Sequence, residues 1–544
     1  MFLRTDGTET ICMSNRPLLV KTKSDPFWNE HCGFLDLSLD QFLSIQEKLL
    51  LEQLQNIGNT TLERRIIGSK IPTSVEEFRS IIPTTSYSNY LPELGINNED
   101  TLPEKPYVWV HTSGQGTAFL DIPYTREFYD QILKDLMAIF ILSCSTGRGR
   151  SSLQENDRIL YNAAPSPYLG GMLATGATER FDLTPVYSSD AHDQMSFSDK
   201  IAKGFEISLK EGVDVTIALT SVLVKMGKDF DKYSGKGSKL KYLAHPGLLL
   251  RYVQAKLRSK LEGRDILPKD LWHMKALIGW GMDTSIYRDM VAEYWGKLPY
   301  EFHACTEAGI IAMQSWTRKG LTMVPYTNFF EFIPESEWQK NHKDTAYKPK
   351  TVLLSEVKEG ERYELVISNF HRMPFVRYRL GHLIKIVSLK DEEAGIDLPQ
   401  IAFEGRADEL IDIASFTRLS EKTITQAIAN TKFSIEGWTI RKEISNGQPI
   451  VVLYIEIVNL ENSAEVADRL HRELKKIDLF YDDLDSMMGI QPIRVVLLSP
   501  GTFAEYTAGK QKAGVEISQL QPPKMNAPDA IIEELSQISS KLKA

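Results

Sequence analysis

The sequence predicts an α/β fold in two parts: a large amino-terminal domain over residues 1–410 and a small α+β carboxy-terminal domain over residues 411–544. Three observations lead there. The chain has 544 residues, more than one hydrophobic core usually organises. Strand-like runs alternate with helical stretches up to about residue 410, the pattern of layered α/β proteins. Beyond Ile411 the pattern restarts as a compact helix-and-strand unit. Apolar residues make up 42% and charged residues 25%, ordinary globular proportions that can fill both cores.

Each element has a local reason. From Ser38 to Gln55, Leu39, Phe42, Leu43, Ile45, Leu49, Leu50 and Leu54 recur at mostly helical spacing and predict an amphipathic helix. Tyr107 to Val110 reads as a strand. Thr125 is a good amino-terminal cap for a helix through the apolar run Leu136 to Leu142, ending at Cys144. Further strands are expected at Val213 to Leu219, Met274 to Ile278, Thr351 to Leu354 and Tyr363 to Ile367. Gly/Pro/Ser-rich loops fall at Ala163 to Gly171 and Tyr233 to Lys239. The second of these lacks the GxxxxGK[ST] spacing of a phosphate loop and reads as a solvated turn. After Ile411 come a helix, a strand (Ile450 to Ile457), a helix (Ala464 to Ile477) and a strand (Ile493 to Leu498).

Composition excludes several functions. The net charge of -9 comes without a long basic block, so the cationic field that neutralises nucleic-acid phosphates is missing. Polar residues interrupt the amino terminus throughout, unlike a signal peptide, and the run Leu136 to Leu142 is far shorter than the roughly 20 residues that span a bilayer. Cys12, Cys32, Cys144 and Cys305 are scattered without a CxxC pair, which fits reduced thiols in the cytoplasm better than a zinc site or disulfide scaffold. A cytoplasmic monomer without nucleic-acid or membrane partners is expected.

Four motifs carry chemistry. His111-Thr-Ser-Gly-Gln-Gly-Thr117 lies between a strand and a helix, where glycine lets backbone amides approach phosphate oxygens. His303-Ala-Cys-Thr-Glu307-Ala-Gly309 offers a hydroxyl to a phosphate and a carboxylate to Mg2+. Then follow Tyr363-Glu-Leu-Val-Ile-Ser-Asn369 leading into Arg377-Tyr-Arg-Leu-Gly-His382, and Phe403-Glu-Gly-Arg-Ala-Asp-Glu-Leu-Ile-Asp412. Their order resembles the adenylate-forming superfamily of acyl-CoA synthetases, luciferases and peptide-synthetase adenylation domains.

Within it, the sequence is most similar to the auxin-responsive acyl acid amido synthetases and their bacterial relatives. Phe78 through Ile82-Pro83 to Tyr87, Val324-Pro325, Phe329-Phe-Glu-Phe-Ile-Pro334, Glu356 to Leu365, Pro500-Gly-Thr-Phe503, Ser518-Gln519 and Pro523-Lys524 carry this likeness. The resemblance implies a multi-sheet adenylating domain with a mobile lid hinged near Gly405 to Asp412. It also implies ATP and Mg2+ as cofactors, and a small carboxylic acid joined through acyl-AMP to an amine, such as an amino acid. Transfer to coenzyme A, as in phenylacetate-type ligases, and a catalytically weakened nucleotide- and acyl-binding protein are the alternatives.

Site residues follow from the same resemblance. Ser113, Gly114 and Thr117 would hold phosphates, Thr306 the α-phosphate and Glu307 the Mg2+. Gly279, Gly281 and His303 would lie against adenine, Arg379 and His382 would face the ribose, Arg406 and Asp408 would serve the hinge, and Lys524 the transition state. The stretch Ala218 to Val224 would wall the acyl pocket. Three positions depart from the family pattern. Leu120 stands where a lysine is usual, His303 replaces an adenine-stacking tyrosine, and His382 replaces an aspartate that accepts from both ribose hydroxyls. Gln521 occupies a further basic position, leaving Lys524 ahead of Lys512 and Lys510.

Overall fold

The computed structural model describes residues 25–543 except 59, 113–120, 163–165, 189–194, 196, 229, 231–245, 282–283, 345, 408–409, 414–416, 446–447, 458–461, 479–480, 483, 485–491 and 513–520. The loop at Tyr233 to Lys239 therefore lies outside the described residues, as do Ser113, Gly114, Thr117, Leu120 and Asp408.

Both expected helices form, the second on the cap expected of Thr125. Ser38 opens the helix Leu39–Ile57 through a reciprocal capping box with Gln41. Thr125 accepts from the Phe128 amide at the start of Arg126–Ser143, whose apolar run is buried. This helix packs on the strand Gly309–Gln314 and contributes Leu136, Ile139 and Phe140 to the main core.

One mixed sheet of eleven strands organises the large domain. Across it run Asn328–Pro334, Arg362–Asn369, Tyr378–Ser388, Gln400–Arg406, Leu321–Met323, Gly309–Gln314, Tyr300–Cys305, Ala276–Trp280, Val215–Leu219, Arg158–Asn162 and Thr184–Pro185. From Asn328–Pro334 to Tyr300–Cys305 the neighbours are antiparallel. From Tyr300–Cys305 onward they are parallel. Tyr300–Cys305 is thus the strand where the pairing changes, and the carboxyl ends of a parallel sheet are where such folds bind ligands. A separate hairpin, Val108–His111 with Asp121–Tyr124, spans the Ser/Gly motif.

Thr351 to Leu354 does not form a strand. Only Val352 bridges to Phe332, and the segment continues as a turn. Thr351 instead spends its hydroxyl on the buried Glu331, so a side-chain network takes the place of ladder pairing.

The carboxy-terminal domain is a three-stranded sheet, Ile435–Ser445, Gln448–Ile457 and Ile493–Leu498, with helices on both faces. Val451, Leu453 and Ile455 face the helices Glu421–Thr431 and Ser463–Ile477. Val452 and Tyr454 face the helix Asp529–Lys543 through Ile532 and Leu535, the period-2 alternation of a strand buried on both sides. The sequence reading did not expect the strand Ile435–Ser445 or the helices Thr502–Lys512 and Asp529–Lys543. Among the described residues no helix is long and apolar enough to cross a membrane, and Cys32, Cys144 and Cys305 are free thiols.

Candidate functional site

A cavity of about 260 Å³ opens at the carboxyl ends of the parallel strands. Its apolar lining includes Leu136, Leu169, Leu173, Ile217, Leu219 and Trp280, with Tyr161 and Tyr168. Its polar lining includes His111 and Thr112 from the small hairpin, Thr306 and Glu307 from the turn after Tyr300–Cys305, and His382. A second hairpin, Ile411–Ile413 with Thr417–Leu419, begins the carboxy-terminal domain and adds Asp412 and Arg418.

Thr306 and Glu307 are fixed by their backbone. The Tyr124 hydroxyl donates to the Thr306 carbonyl at 2.7 Å, and Asn369 Nδ2 donates to the Glu307 carbonyl at 3.0 Å. Both side chains stay at the cavity. Burial and then the Glu307 carboxylate raise the pKa of the Cys305 thiol, and burial, then Cys305 and Glu307, raise that of the Tyr124 phenol.

His303 and His382 are brought together. Their rings share a hydrogen bond, Nε2 to Nδ1, of 3.0 Å, so one imidazole donates and the other accepts. Phe403 stacks on His303 at 4.8 Å and meets His382 edge-on at 5.5 Å. Burial lowers the His303 pKa to about 4. Burial, then His303, Arg406 and Arg418, push His382 well below the usual range. Both rings are neutral at pH 7, and His303 faces Phe403 within the protein.

Arg418 is a cation that the sequence reading did not single out. Its buried Nε stands 3.7 Å from Asp412 Oδ2, its partner across the hairpin, and makes no hydrogen bond. A guanidinium donor without a hydrogen bond at a cavity wall is a place for an anionic ligand. A lone arginine in a short strand carries no sequence signal; only the hairpin reveals its direction.

Other expected residues are placed elsewhere. Arg379 does not line the cavity: Glu364 holds it by two hydrogen bonds of 2.9 and 2.6 Å and Asn341 by one of 2.7 Å. It is a scaffold residue here, away from the cavity. Gly279 also stands apart: a Cβ there would meet Thr220 Oγ1 at 2.6 Å, so its bareness serves packing. Gly281, at φ +126, lines the cavity. Of Ala218 to Val224 only Leu219 does so, while Val222, Leu223 and Val224 turn into a core. Arg406 pairs in register with His382 at the cavity edge. Lys524 lies over the Trp438 ring at 4.8 Å within the carboxy-terminal domain, where burial lowers its pKa. Lys510 is paired with Glu534, and the Lys512 side chain lies outside the described residues.

The protein thus combines a mixed sheet, a cavity at its parallel carboxyl ends and a small α+β domain in one fold. Two solved structures share it. An acyl acid amido synthetase, AtGH3.15 in complex with 2,4-DB, aligns at TM-score 0.51 and 16% identity over 93% of this chain and 95% of that one. A 2-hydroxyisobutyryl-CoA ligase in complex with 2-HIB-AMP and CoA aligns at TM-score 0.57 and 14% identity over 88% and 89%. Residues 321–406 match the GH3 family central domain and residues 420–528 the GH3 family C-terminal domain. These two stretches cover less than half of the chain, which is there a distant homologue of GH3 family proteins.

Curated relatives agree. Jasmonoyl–L-amino acid synthetase JAR4 of Nicotiana attenuata is 26% identical over 215 residues, 38% of this chain and 35% of that protein. Indole-3-acetic acid-amido synthetase GH3.15 of Arabidopsis thaliana is 24% identical over 228 residues, 37% and 36% respectively. The matched region therefore spans about a third of the length of these relatives.

Proposed function

We propose that the protein is an ATP- and Mg2+-dependent ligase that activates a carboxylic acid as acyl-AMP and passes the acyl group to an amine. The observation that carries this reading is the cavity itself, which combines apolar lining residues with Thr306, Glu307 and Arg418, whose Nε makes no hydrogen bond. The acid's hydrocarbon part would lie against Leu136, Leu173, Ile217 and Leu219, leaving its carboxylate toward the polar lining residues.

The residues fit a nucleotide arriving with its cation. Mg2+ is commonly held by one or two carboxylates together with substrate phosphates and water, so the single carboxylate of Glu307 suffices. Among the described residues no group of three or more His, Cys, Asp or Glu side chains is arranged to hold a metal by itself. ATP supplies the adenylyl group that turns a carboxylate oxygen into a leaving group.

Thr306 would donate to the α-phosphate, and Arg418 would neutralise charge there in place of the lysine missing at Leu120. Ser113, Gly114 and Thr117 would cradle the remaining phosphates. Gly281 and His303 would border the base and His382 the ribose. Residues 411–544 would form the lid, with Arg406 and Asp408 at its hinge. Lys524 would reach the cavity only by rotation of that lid. The free thiols fit a cytoplasmic setting.

A second reading, binding without turnover, is favoured by one observation: His303 and His382 satisfy each other rather than standing open. Carboxylate-dependent exchange of labelled pyrophosphate into ATP, across aryl, indolyl and aliphatic acids, separates the two. Exchange with at least one apolar acid is expected. ATP binding without exchange by any acid would replace the ligase reading with the binding one.

A further inference from the structure

The helix Pro246–Leu261 turns an apolar ridge to solvent. Leu250, Val253, Leu257 and Leu261 are between 46% and 88% exposed, and their spacing of three and four residues sets them in line along one face. Ala255 and Ser259 lie on the opposite face and are buried, so the ridge points away from the protein. Exposed aliphatic side chains scattered singly are ordinary, whereas four in line on one helix mark a contact surface. At about 3.6 residues per turn, Lys256 and Lys260 run along one flank of the ridge and Arg258 along the other. All three are exposed. The helix carries no Asp or Glu, in a chain whose net charge is -9.

Arg258 and Glu262, at the end of the same helix, also line a cleft of about 590 Å³. The cleft is bordered by Met274 and Lys275, ahead of the strand Ala276–Trp280, whereas the substrate cavity meets Trp280 at the far end of that strand. The two are separate. In the cleft wall, Arg264 is matched by Asp270 at 2.7 Å and Glu262 at 2.6 Å, and Lys275 by Asp157 at 2.6 Å. Arg258, Lys269 and Lys297 make no ion pair among the described residues; Lys297 Nζ donates only to the Lys275 carbonyl, at 2.9 Å. A cleft with surplus positive charge draws anions, and it adjoins the ridge through Arg258.

A second copy of the chain would set the cationic flanks against each other, and like charges across an interface repel. A stable protein interface takes about 20–30 residues a side, and this ridge is one residue wide. A lipid surface needs neither. A few aliphatic side chains enter the boundary between headgroups and acyl chains, while Lys and Arg beside them meet the lipid phosphates. We propose that the helix Pro246–Leu261 seats the protein on an anionic phospholipid surface, with Leu250, Val253, Leu257 and Leu261 inserted and the cleft at Arg258, Lys269 and Lys297 taking a headgroup. The contact is peripheral, since among the described residues no helix is long and apolar enough to cross a membrane. The expectation of no membrane partner rests on the lack of such a spanning run, which a surface helix does not need.

Co-sedimentation of the full-length protein with vesicles tests this, comparing phosphatidylcholine alone with a mixture of phosphatidylcholine and phosphatidylserine. Binding should require phosphatidylserine and fade with added salt, as the screening length shrinks to about 3 Å at 1 M. Leu257→Ser combined with Leu261→Ser should weaken it at least about tenfold by removing apolar surface from the contact. Lys269→Gln and Lys297→Gln should each weaken it about fivefold. Melting temperatures should match the wild type, because these side chains do not build the core. No binding to the mixed vesicles, equal binding to both kinds, or unchanged binding of the leucine variant would overturn the proposal. Soluble glycerophosphoserine separates the sources of the anion: if calorimetry shows that it binds the cleft as tightly as vesicles bind, the cleft serves a free anion and lipid docking falls. A dimer in vesicle-free solution that Leu257→Ser abolishes would give the ridge to a second copy instead.

Discussion

Two groups of buried polar residues share the large sheet and are built in opposite ways. Around Arg377 every charge is answered. Its guanidinium donates to Glu331 at 2.9 and 2.7 Å, to Thr351 at 3.1 Å and to the carbonyls of Arg79 and Ile82, while Thr351 donates to Glu331 at 2.6 Å. Around the cavity the answers are incomplete. Arg418 Nε has only a 3.7 Å ion pair with Asp412 and no hydrogen bond, and His303 and His382, bonded to each other, are held neutral by burial. A completed network ties the strands Asn328–Pro334 and Tyr378–Ser388 to the helix Val75–Ile81, whereas an incomplete one leaves binding capacity for something else.

The sharpest way to break this contrast is to open the completed network. Glu331→Ala would leave Arg377 buried and unpaired, a change that typically costs about 3–5 kcal/mol. Denaturant unfolding should register that loss, and a cost below about 1 kcal/mol would mean that the network is not a scaffold. Glu307→Gln belongs to the other group and should do the reverse. Pyrophosphate exchange should fall several tens of fold, roughly 2 kcal/mol of transition-state stabilisation, with unfolding unchanged. Exchange at the wild-type rate in this variant would remove Glu307 from the cation role.

The neutral histidines give the contrast a pH signature. In the folded protein His303 stays unprotonated down to about pH 4, whereas the unfolded chain takes up that proton near pH 6.5. Between those values the unfolded state binds more protons, so stability is full above about 6.5 and is lost as pH falls toward 4. His303→Phe, which keeps a ring against Phe403, should flatten that acid limb in thermal unfolding. Asp135 has the opposite sign. Burial raises its pKa to about 8, so it erodes stability as pH rises from about 4 to 8, and Asp135→Asn should be relatively more stable at pH 8 than at pH 5. Asp135 Oδ2 is also unpartnered yet lies outside the cavity, so an orphaned atom marks a binding site only where there is space beside it.

These two groups also explain what the sequence could and could not disclose. Ser38 and Thr125 announce helices because a cap acts within three residues. Val215–Leu219 and Ala276–Trp280 are legible because strands buried on both faces read as apolar runs. Thr306, Glu307 and His382 were expected from motif order, and they line the cavity. Arg379 belongs to the same motif and serves Glu364 instead; the strand is irregular between Arg379 and His382, with Gly381 at φ +67, which residue spacing does not disclose. Arg418 and the pairing of His111 with Asp121 were invisible, because each depends on which strands lie opposite each other.

The smallest effect bears on the position where the cavity departs most from its relatives' pattern. His382→Asp replaces a neutral ring by a two-oxygen acceptor, and Arg406 and Arg418, whose charges already bear on His382, would favour its ionised form. The substitution also releases His303 from its partner. If this position borders the ribose, each hydrogen bond gained is worth about 0.5–1.5 kcal/mol, a two- to tenfold tightening of ATP binding per bond. Calorimetric titration of both proteins with ATP and with 2'-deoxy-ATP reads this directly. The aspartate variant should bind ATP more tightly and lose more than the wild type does when the hydroxyl is removed. Equal losses in the two proteins, without a gain for ATP, would take the ribose away from residue 382 and leave the histidine pair as packing within the cavity wall.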